Sequence, residues 1–293
     1  MKVSKKAVVE IKGGFGNQIF QYMFAKKLKN EGYDVKINTR FYNQFNETAP
    51  PENTFRSLIL PPSYFGFKEI GGLFFKLLVI NNKISKSKKI KKLIKRFENP
   101  FYVHIKDKHI ENIPTNKIIY HFDGYWQDIN NLVNEKSYLI ESLSKNETLD
   151  KSISTNASLN SAMLIVRRGD YLDMNEELSG RFYTECIDYF NSKIENLQLS
   201  IFTDDIEWVK KQKIFLAAEN IYGPEDSPEK VLELFSLMLN NFHFAVTNST
   251  FSLIAAVIRE RKESIILVAD PWFRNRYFGS LVKENWVKIK NII

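Results

Sequence analysis

The residues best equipped for chemistry are Arg167-Arg168-Gly169-Asp170-Tyr171, directly after the apolar run Met163 to Val166. That run reads as a strand, and ligands of open α/β sheets bind beyond the carboxyl ends of strands. A guanidinium fork matches phosphate oxygens in pairs and stays charged at any working pH. Two in tandem therefore suit a diphosphate. Gly169 would let the backbone turn tightly, and Asp170 would orient one arginine by a bidentate pair. The plainer alternative is a surface salt bridge at a turn.

Thr247-Asn248-Ser249-Thr250-Phe251 follows a second candidate strand, Phe244 to Val246, and precedes a helical pattern. A helix start offers backbone N–H groups and the positive end of a dipole to an anion, and Ser249 and Thr250 add hydroxyls. An ordinary N-cap fits the same composition. Gly13-Gly14-Phe15-Gly16-Asn17 is a glycine loop, but it is not G-x-G-x-x-G and has no acid placed for a ribose. It reads as a loop that lets a substrate approach the backbone, with Asn17 and Gln18 presenting amides to sugar hydroxyls, or as a tight turn before a capped helix. Thr203-Asp204-Asp205 ends a strand and invites a metal, yet Ile206-Glu207-Trp208 looks helical and makes an aspartate cap the simpler reading. Four histidines and one cysteine give no zinc spacing. Neither a Walker sequence nor a G-x-S-x-G elbow is present.

The elements that position these residues follow from periodicity. Ala7 to Ile11 reads as a buried strand, Asn17 to about Glu31 as a helix capped by Asn17 and closed by Gly32, and Val35 to Ile37 as a second strand. Residues 44–62 read as a loop, Tyr120 to Gln127 as an aromatic, polar cluster, and Leu132 to Leu149 as helical. The polar stretch Ser152 to Ser161 marks a domain boundary. Beyond it, strands are expected at Met163 to Val166, Leu199 to Thr203, Phe244 to Val246 and Ile265 to Val268. Helices are expected at Phe182 to Lys193, Ile206 to Lys213, Pro228 to Leu239 and Phe251 to Arg259. Strands alternating with helices in both halves predict an α/β protein with parallel sheets.

The chain has 293 residues, enough for two domains, and 44% hydrophobic content, enough to bury two cores. A single cysteine, Cys186, excludes an internal disulfide and suits a reducing cytosol. The opening residues read as neither signal peptide nor membrane-crossing helix. Of the 42 basic residues, eight lie between Lys83 and Arg96 without an acid, and the remaining 34 match the 34 acidic ones. The +8 net charge is thus one patch. It has no interleaved aromatics for base stacking, so nucleic acid is not the expected partner. A solvated helix face or contact with an anionic membrane surface both fit it.

Read in order, the motifs resemble bacterial α-1,2-fucosyltransferases, glycosyltransferase family eleven. Gly13 to Tyr22 is similar to the family's G-G-L-G-N-Q-L-F-Q-Y. Gly124-Tyr125-Trp126-Gln127 resembles G-Y-W-Q, and Arg167 to Tyr171 resembles H-x-R-R-G-D-Y. Thr203-Asp204-Asp205 with Trp208 resembles S-D-D-x-x-W, and Asn248 to Ser252 matches N-S-T-F-S with His243 upstream. Pro271-Trp272-Phe273 echoes P-x-x-W-F. The resemblance spans residues 8 to 273. It implies a GT-B architecture of two Rossmann-like domains facing a cleft, residues 1–155 on the acceptor side and 156–293 binding GDP-fucose. It implies inverting transfer of fucose to the 2-hydroxyl of a galactose-type residue on an oligosaccharide or lipid-linked glycan, as in O-antigen synthesis. No metal or other cofactor is implied. The expected place is the cytoplasm, with peripheral contact at the inner membrane face through Lys83 to Arg96.

By the same resemblance, Arg167 and Arg168 contact the diphosphate, with Asp170 in the catalytic group. Asn248, Ser249, Thr250 and Phe251 hold the donor, with Asp204 and Asp205 toward base or ribose. Gly14, Asn17, Gln18, Tyr125, Trp126 and Gln127 face the acceptor. Asp170, Glu176 and Glu177 are the candidate general bases. The chain departs from the family at Ile165, where a histidine is usual, and at Leu253-Ile254, where tryptophans are usual. A different donor sugar, or a scaffold that binds without turnover, is the alternative that these departures leave.

Overall fold

The computed structural model describes residues 5–44, 57–71, 102–107, 113, 117–224, 227–274 and 281–291. The basic run Lys83 to Arg96 and the apolar stretch Leu73 to Ile80 lie outside them. The chain is α/β and divides into two compact units, residues 1–126 and 127–293.

The first unit opens with β1 (Lys6–Glu10), α1 (Phe15–Asn30) and β2 (Asp34–Asn38). A short α2 (Phe41–Gln44) follows, then a 3-10 turn at Pro62–Phe65, β3 (Lys68–Glu69), β4 (Tyr102–Lys106) and β5 (Ile119–Asp123). The strands form one sheet in the order β3-β2-β1-β5-β4, parallel at every pairing. Helix α1 buries Phe15, Ile19, Phe20, Tyr22, Met23, Phe24 and Leu28, too many for a single stripe, so it is enclosed rather than laid on the surface. Gly14, not Asn17, is its N-cap, and no side chain caps the first turn. Gly32, with φ +89, takes the left-handed turn that ends it.

The second unit begins with three helices, α3 (Ile129–Val133), α4 (Lys136–Leu143) and α5 (Glu147–Ser154). Then come β6 (Ser161–Val166), α6 (Gly169–Asp173), α7 (Gly180–Lys193), β7 (Gln198–Thr203) and α8 (Ile206–Lys211). The chain closes with β8 (Asn220–Tyr222), α9 (Pro228–Leu239), β9 (His243–Val246), α10 (Thr250–Arg259), β10 (Ile266–Asp270) and β11 (Val287–Lys290). The sheet order β11-β10-β9-β6-β7-β8 is again all parallel. Strand β6 lies between β9 and β7 and is buried at every residue, as a parallel strand covered on both faces must be. Each unit is therefore Rossmann-like, and the chain combines two of them as GT-B enzymes do.

The boundary falls ahead of the 152–161 stretch because the three leading helices belong to the second core. Helix α5 packs on α9, and α3 and α4 pack on α10. Arg259, nearly buried, donates to the carbonyls of Ile153 (3.1 Å) and Thr155 (3.0 Å) and closes the carboxyl end of α5. Among the described residues no helix is long and apolar enough to cross a membrane.

Candidate active site

The loops after β6, β7, β9 and β10 leave the sheet at the same, carboxyl, edge, because those strands are neighbours and parallel. The arginine pair stands in the first loop. Arg167 donates from Nη2 to Asp170 Oδ1 at 2.8 Å, and its Nε lies 3.2 Å from Asp204 Oδ2. Its guanidinium carbon is 5.0 Å from the centre of the Tyr171 ring. Burial works against the Arg167 charge, but Asp204, Tyr171 and Asp170 outweigh it and hold its pKa above the ordinary value. Arg168 sits differently. Its guanidinium lies 4.0 Å from the Trp208 ring centre, Nε donates to Asp205 Oδ2 at 3.2 Å, and its backbone N–H donates to Asp204 Oδ1 at 2.7 Å. Each arginine thus has its own carboxylate and its own aromatic plate, and both side chains are partly exposed.

Asp205 caps α8 by accepting from the Trp208 N–H at 3.0 Å, so the cap reading of this aspartate holds. Gly169 has a different role from the tight turn expected. It begins α6, and a Cβ there would sit 3.2 Å from Asp204 Oδ2. The glycine makes room for the carboxylate that serves both arginines.

Tyr171 joins the first loop to the third through its hydroxyl, which donates to the Asn248 carbonyl at 2.7 Å. Asn248 is buried, and its Nδ2 donates to the Glu176 carbonyl at 2.7 Å. Asn248 Oδ1 and Thr247 Oγ1 are buried without a hydrogen-bond partner among the described residues. Ser249 occupies the N-cap of α10, but its hydroxyl does not cap the helix. Thr250 begins α10 directly after them. Unused polar capacity of this kind at a helix start fits an anionic or hydroxyl-rich ligand.

The candidate bases are mostly committed. Asp170 holds Arg167. Glu176 is 1% exposed and accepts from the Arg274 N–H at 2.7 Å, tying the loop after β10 to the others. The Glu177 carbonyl accepts from the Arg274 guanidinium, while Glu177 Oε2 is buried and unpartnered among the described residues. Ile165 is a core residue of β6, paired across the sheet with Phe202, and Leu253 and Ile254 are fully buried in α10. His243 starts β9, at the opposite edge of the sheet. Its ring bridges the Leu159 carbonyl and the Ile265 N–H and builds structure.

In the first unit the expected acceptor residues separate into two groups. Gln18 is buried and spends its amide on the backbone: Nε2 donates to the carbonyls of Gly13 (3.2 Å) and Ser57 (2.8 Å), and Oε1 accepts from the Ile59 N–H (2.9 Å). It fixes the glycine loop and has no amide left for a sugar. Trp126 is also buried, stacked on Phe24 with centroids 4.4 Å apart, at φ +52. Gly14 and Asn17 stand at the start of α1 and are half-buried, and half-buried Gln127 opens the second unit. Tyr125 is 39% exposed, with the Lys12 ammonium 5.3 Å from its ring centre.

The loop that carries Tyr125 is clasped by Asp107, which accepts from the N–H groups of Tyr125 (2.7 Å) and Trp126 (3.0 Å). A Cβ on Gly124 would overlap that carboxylate. Gly124→Ala is therefore expected to lower stability by about 1–2 kcal/mol through lost hydrogen bonds to the carboxylate. Urea unfolding checks this; an unchanged midpoint would show that Asp107 moves aside at no cost.

A cluster that the sequence analysis did not contain runs along one face of the first sheet, from Tyr102, His104 and His121 within the strands to Glu10 and Asp123 at the ends of β1 and β5. His121 Nε2 is 2.5 Å from Glu10 Oε1, and Tyr102 Oη is 2.8 Å from His121 Nδ1. His104 Nε2 is 3.2 Å from Asp123 Oδ2, and Lys12 Nζ donates to Asp123 Oδ1 at 2.6 Å. The hydrogen bond from His104 holds the Asp123 carboxyl well below the usual range. Burial opposes that shift, and Lys12 reinforces it. A carboxylate with a lowered folded pKa contributes its full stability above the unfolded value of about 4 and loses it as pH falls toward the folded value. The stability advantage of the native chain over Asp123→Asn is thus expected to shrink from pH 6 to pH 3. Denaturant titrations at both pH values test this, and a difference independent of pH would contradict it.

Two Escherichia coli proteins resemble the chain over nearly all of both lengths. One is an alpha-1,2-colitosyltransferase, 28% identical over 298 residues, with 97% of this chain and 98% of that protein covered. The other is the O-antigen biosynthesis glycosyltransferase WbnK, 23% identical over 319 residues, with 95% and 99% covered. Among solved structures, fucosyltransferase NodZ from Bradyrhizobium aligns with 86% of this chain and 92% of its own at 13% identity, with a TM-score of 0.41. The pattern of glycosyl transferase family 11 matches residues 6–290, and the chain belongs to that family.

Proposed function

We propose that the chain moves fucose from GDP-fucose to the 2-hydroxyl of a galactose-type residue on a glycan, with inversion, in O-antigen synthesis. The observation that carries this is the arginine pair on the carboxyl tip of β6, each guanidinium held by a carboxylate and an aromatic ring. A guanidinium fixed before the ligand arrives needs no reorganisation when negative charge develops on a departing diphosphate, and such preorganised charge is the largest catalytic term in many enzymes.

In this reading Arg167 and Arg168 grip the diphosphate. The Asn248 amide oxygen, the Thr247 hydroxyl and the first N–H groups of α10 hold the rest of the donor. Asp204 and Asp205 act through the arginines they orient. Tyr125 offers a face to the acceptor sugar. The chain's own cations neutralise the leaving group, so transfer is expected to persist in EDTA.

A second reading keeps the reaction and changes the donor to GDP-colitose. It is favoured by the colitosyl relative. GDP release measured with GDP-fucose and with GDP-colitose, each with and without a galactose-terminated glycan, separates the readings. The larger kcat/KM names the donor. No acceptor-dependent release from either sugar would leave a binding scaffold and reject both.

A further inference from the structure

Hydrogen bonds close a circuit between the loops after β6 and β9. The Tyr171 hydroxyl donates to the Asn248 carbonyl at 2.7 Å, the Asn248 side-chain amide donates to the Glu176 carbonyl at 2.7 Å, and the Glu176 N–H donates to the Tyr171 carbonyl at 2.9 Å. Asn248 is 2% exposed, so it is gripped by main chain and side chain where water does not compete. Buried bonds of this kind are costly to break, because nothing replaces the lost partner. A shift of Asn248 is therefore passed on to Tyr171 rather than absorbed between them.

The ring of the same tyrosine carries Arg167. The guanidinium carbon lies over it, 5.0 Å from its centre, within the range at which the ring's negative face attracts a cation. The carboxylates act at other points. Asp170 Oδ1 accepts from Nη2 at 2.8 Å, and Asp204 Oδ2 lies 3.2 Å from Nε. Despite that proximity, Nε is buried without a hydrogen-bond partner among the described residues. One hydrogen bond leaves a guanidinium free to swing about it, so the ring decides where the fork points. The Trp208 plate beside Arg168 bonds locally, to Asp205 and Gln212, and does not share this link to Asn248.

We propose that Tyr171 is a positioning residue for Arg167, which makes the aim of that guanidinium follow the seating of the loop after β9. A donor that settles the Asn248 loop thereby also sets the arginine against the diphosphate. This rests on the glycosyl-transfer reading above.

Tyr171→Phe keeps the ring and removes the hydroxyl, and Tyr171→Leu removes both. Each is measured alone and combined with Arg167→Ala. The readouts are kcat and, independently of turnover, GDP affinity by calorimetry, with urea unfolding to show that each variant folds. With Arg167 in place, Tyr171→Phe is expected to lower both about three- to fivefold, the size of one hydrogen bond. Tyr171→Leu, which also loses the cation–π contact, should lower them about tenfold or more. In the Arg167→Ala background both losses should shrink below about twofold, because a residue acting through another has no effect once that other is gone. A merely structural brace predicts the same loss in both backgrounds. That result overturns the proposal, and so do native values in a folded Tyr171→Leu. If Tyr171→Leu does not fold, the near-isosteric Tyr171→Phe decides alone. Coupled GDP affinities in a chain that transfers from no GDP-sugar would reject the functional reading and keep the positioning role. Transfer with uncoupled losses would remove only this assignment.

Discussion

Replacing Arg167 with alanine is expected to cut kcat by about 10²–10³-fold, the loss that follows removal of one preorganised donor to a developing anion. The fold should survive. Asp204 would still accept from the Arg168 N–H, and Asp170 is exposed enough to be solvated. Arg167→Lys separates charge from geometry. Lysine restores a point charge but not the planar fork, so it should recover only part of the rate. Steady-state kinetics with matched unfolding curves provide the check. An alanine variant that turns over near the native rate would remove the arginine from the reaction.

Glu176→Leu should have the largest effect on how the loops are held together. Its carboxylate is buried against the Arg274 N–H, its own N–H donates to the Tyr171 carbonyl at 2.9 Å, and its carbonyl receives the Asn248 amide. Leucine keeps the backbone bonds but strands the Arg274 N–H, a loss of about 3 kcal/mol at the upper end for an unsatisfied buried donor. Among the described residues the loop after β10 is then hydrogen-bonded to the loop after β6 only through the Arg274 side chain, and donor KM should rise about tenfold or more. Glu176→Gln retains an acceptor oxygen and should show a small fraction of both effects. Equal behaviour of the two variants would mean that the carboxylate tie is not what sets the loop geometry.

The C-terminal sheet was legible because its strands are apolar runs closed by polar motifs. Met163 to Val166, Leu199 to Thr203 and Phe244 to Val246 all fall within observed strands, and Pro228 to Leu239 matches α9 to the residue. Strands β4 and β5 were not legible. Tyr102-Val103-His104-Ile105-Lys106 and Ile119 to Asp123 mix aromatic, charged and apolar residues, and the second was read as an aromatic cluster. Their pairing brings His104 and Asp123 together from nineteen residues apart, a separation that no local motif encodes. The same blindness hid the proper role of Gly169, whose neighbour Asp204 is remote in sequence. Asn17 looked like a cap because its type is right. The helix instead starts earlier, at Phe15, since that aromatic is needed inside the core.

The parallel strands also separate what must stay constant from what is allowed to drift. Ladder pairing and buried packing lie behind β6, β7, β9 and β10, whereas the side chains of the candidate site sit on four connecting segments that begin where each ladder stops. Exchanging one segment for a relative's leaves the hydrogen-bonded frame untouched. The connectors are bonded to one another through Tyr171–Asn248, Arg168–Asp205 and Glu176–Arg274, so they must change as a set even where the scaffold does not.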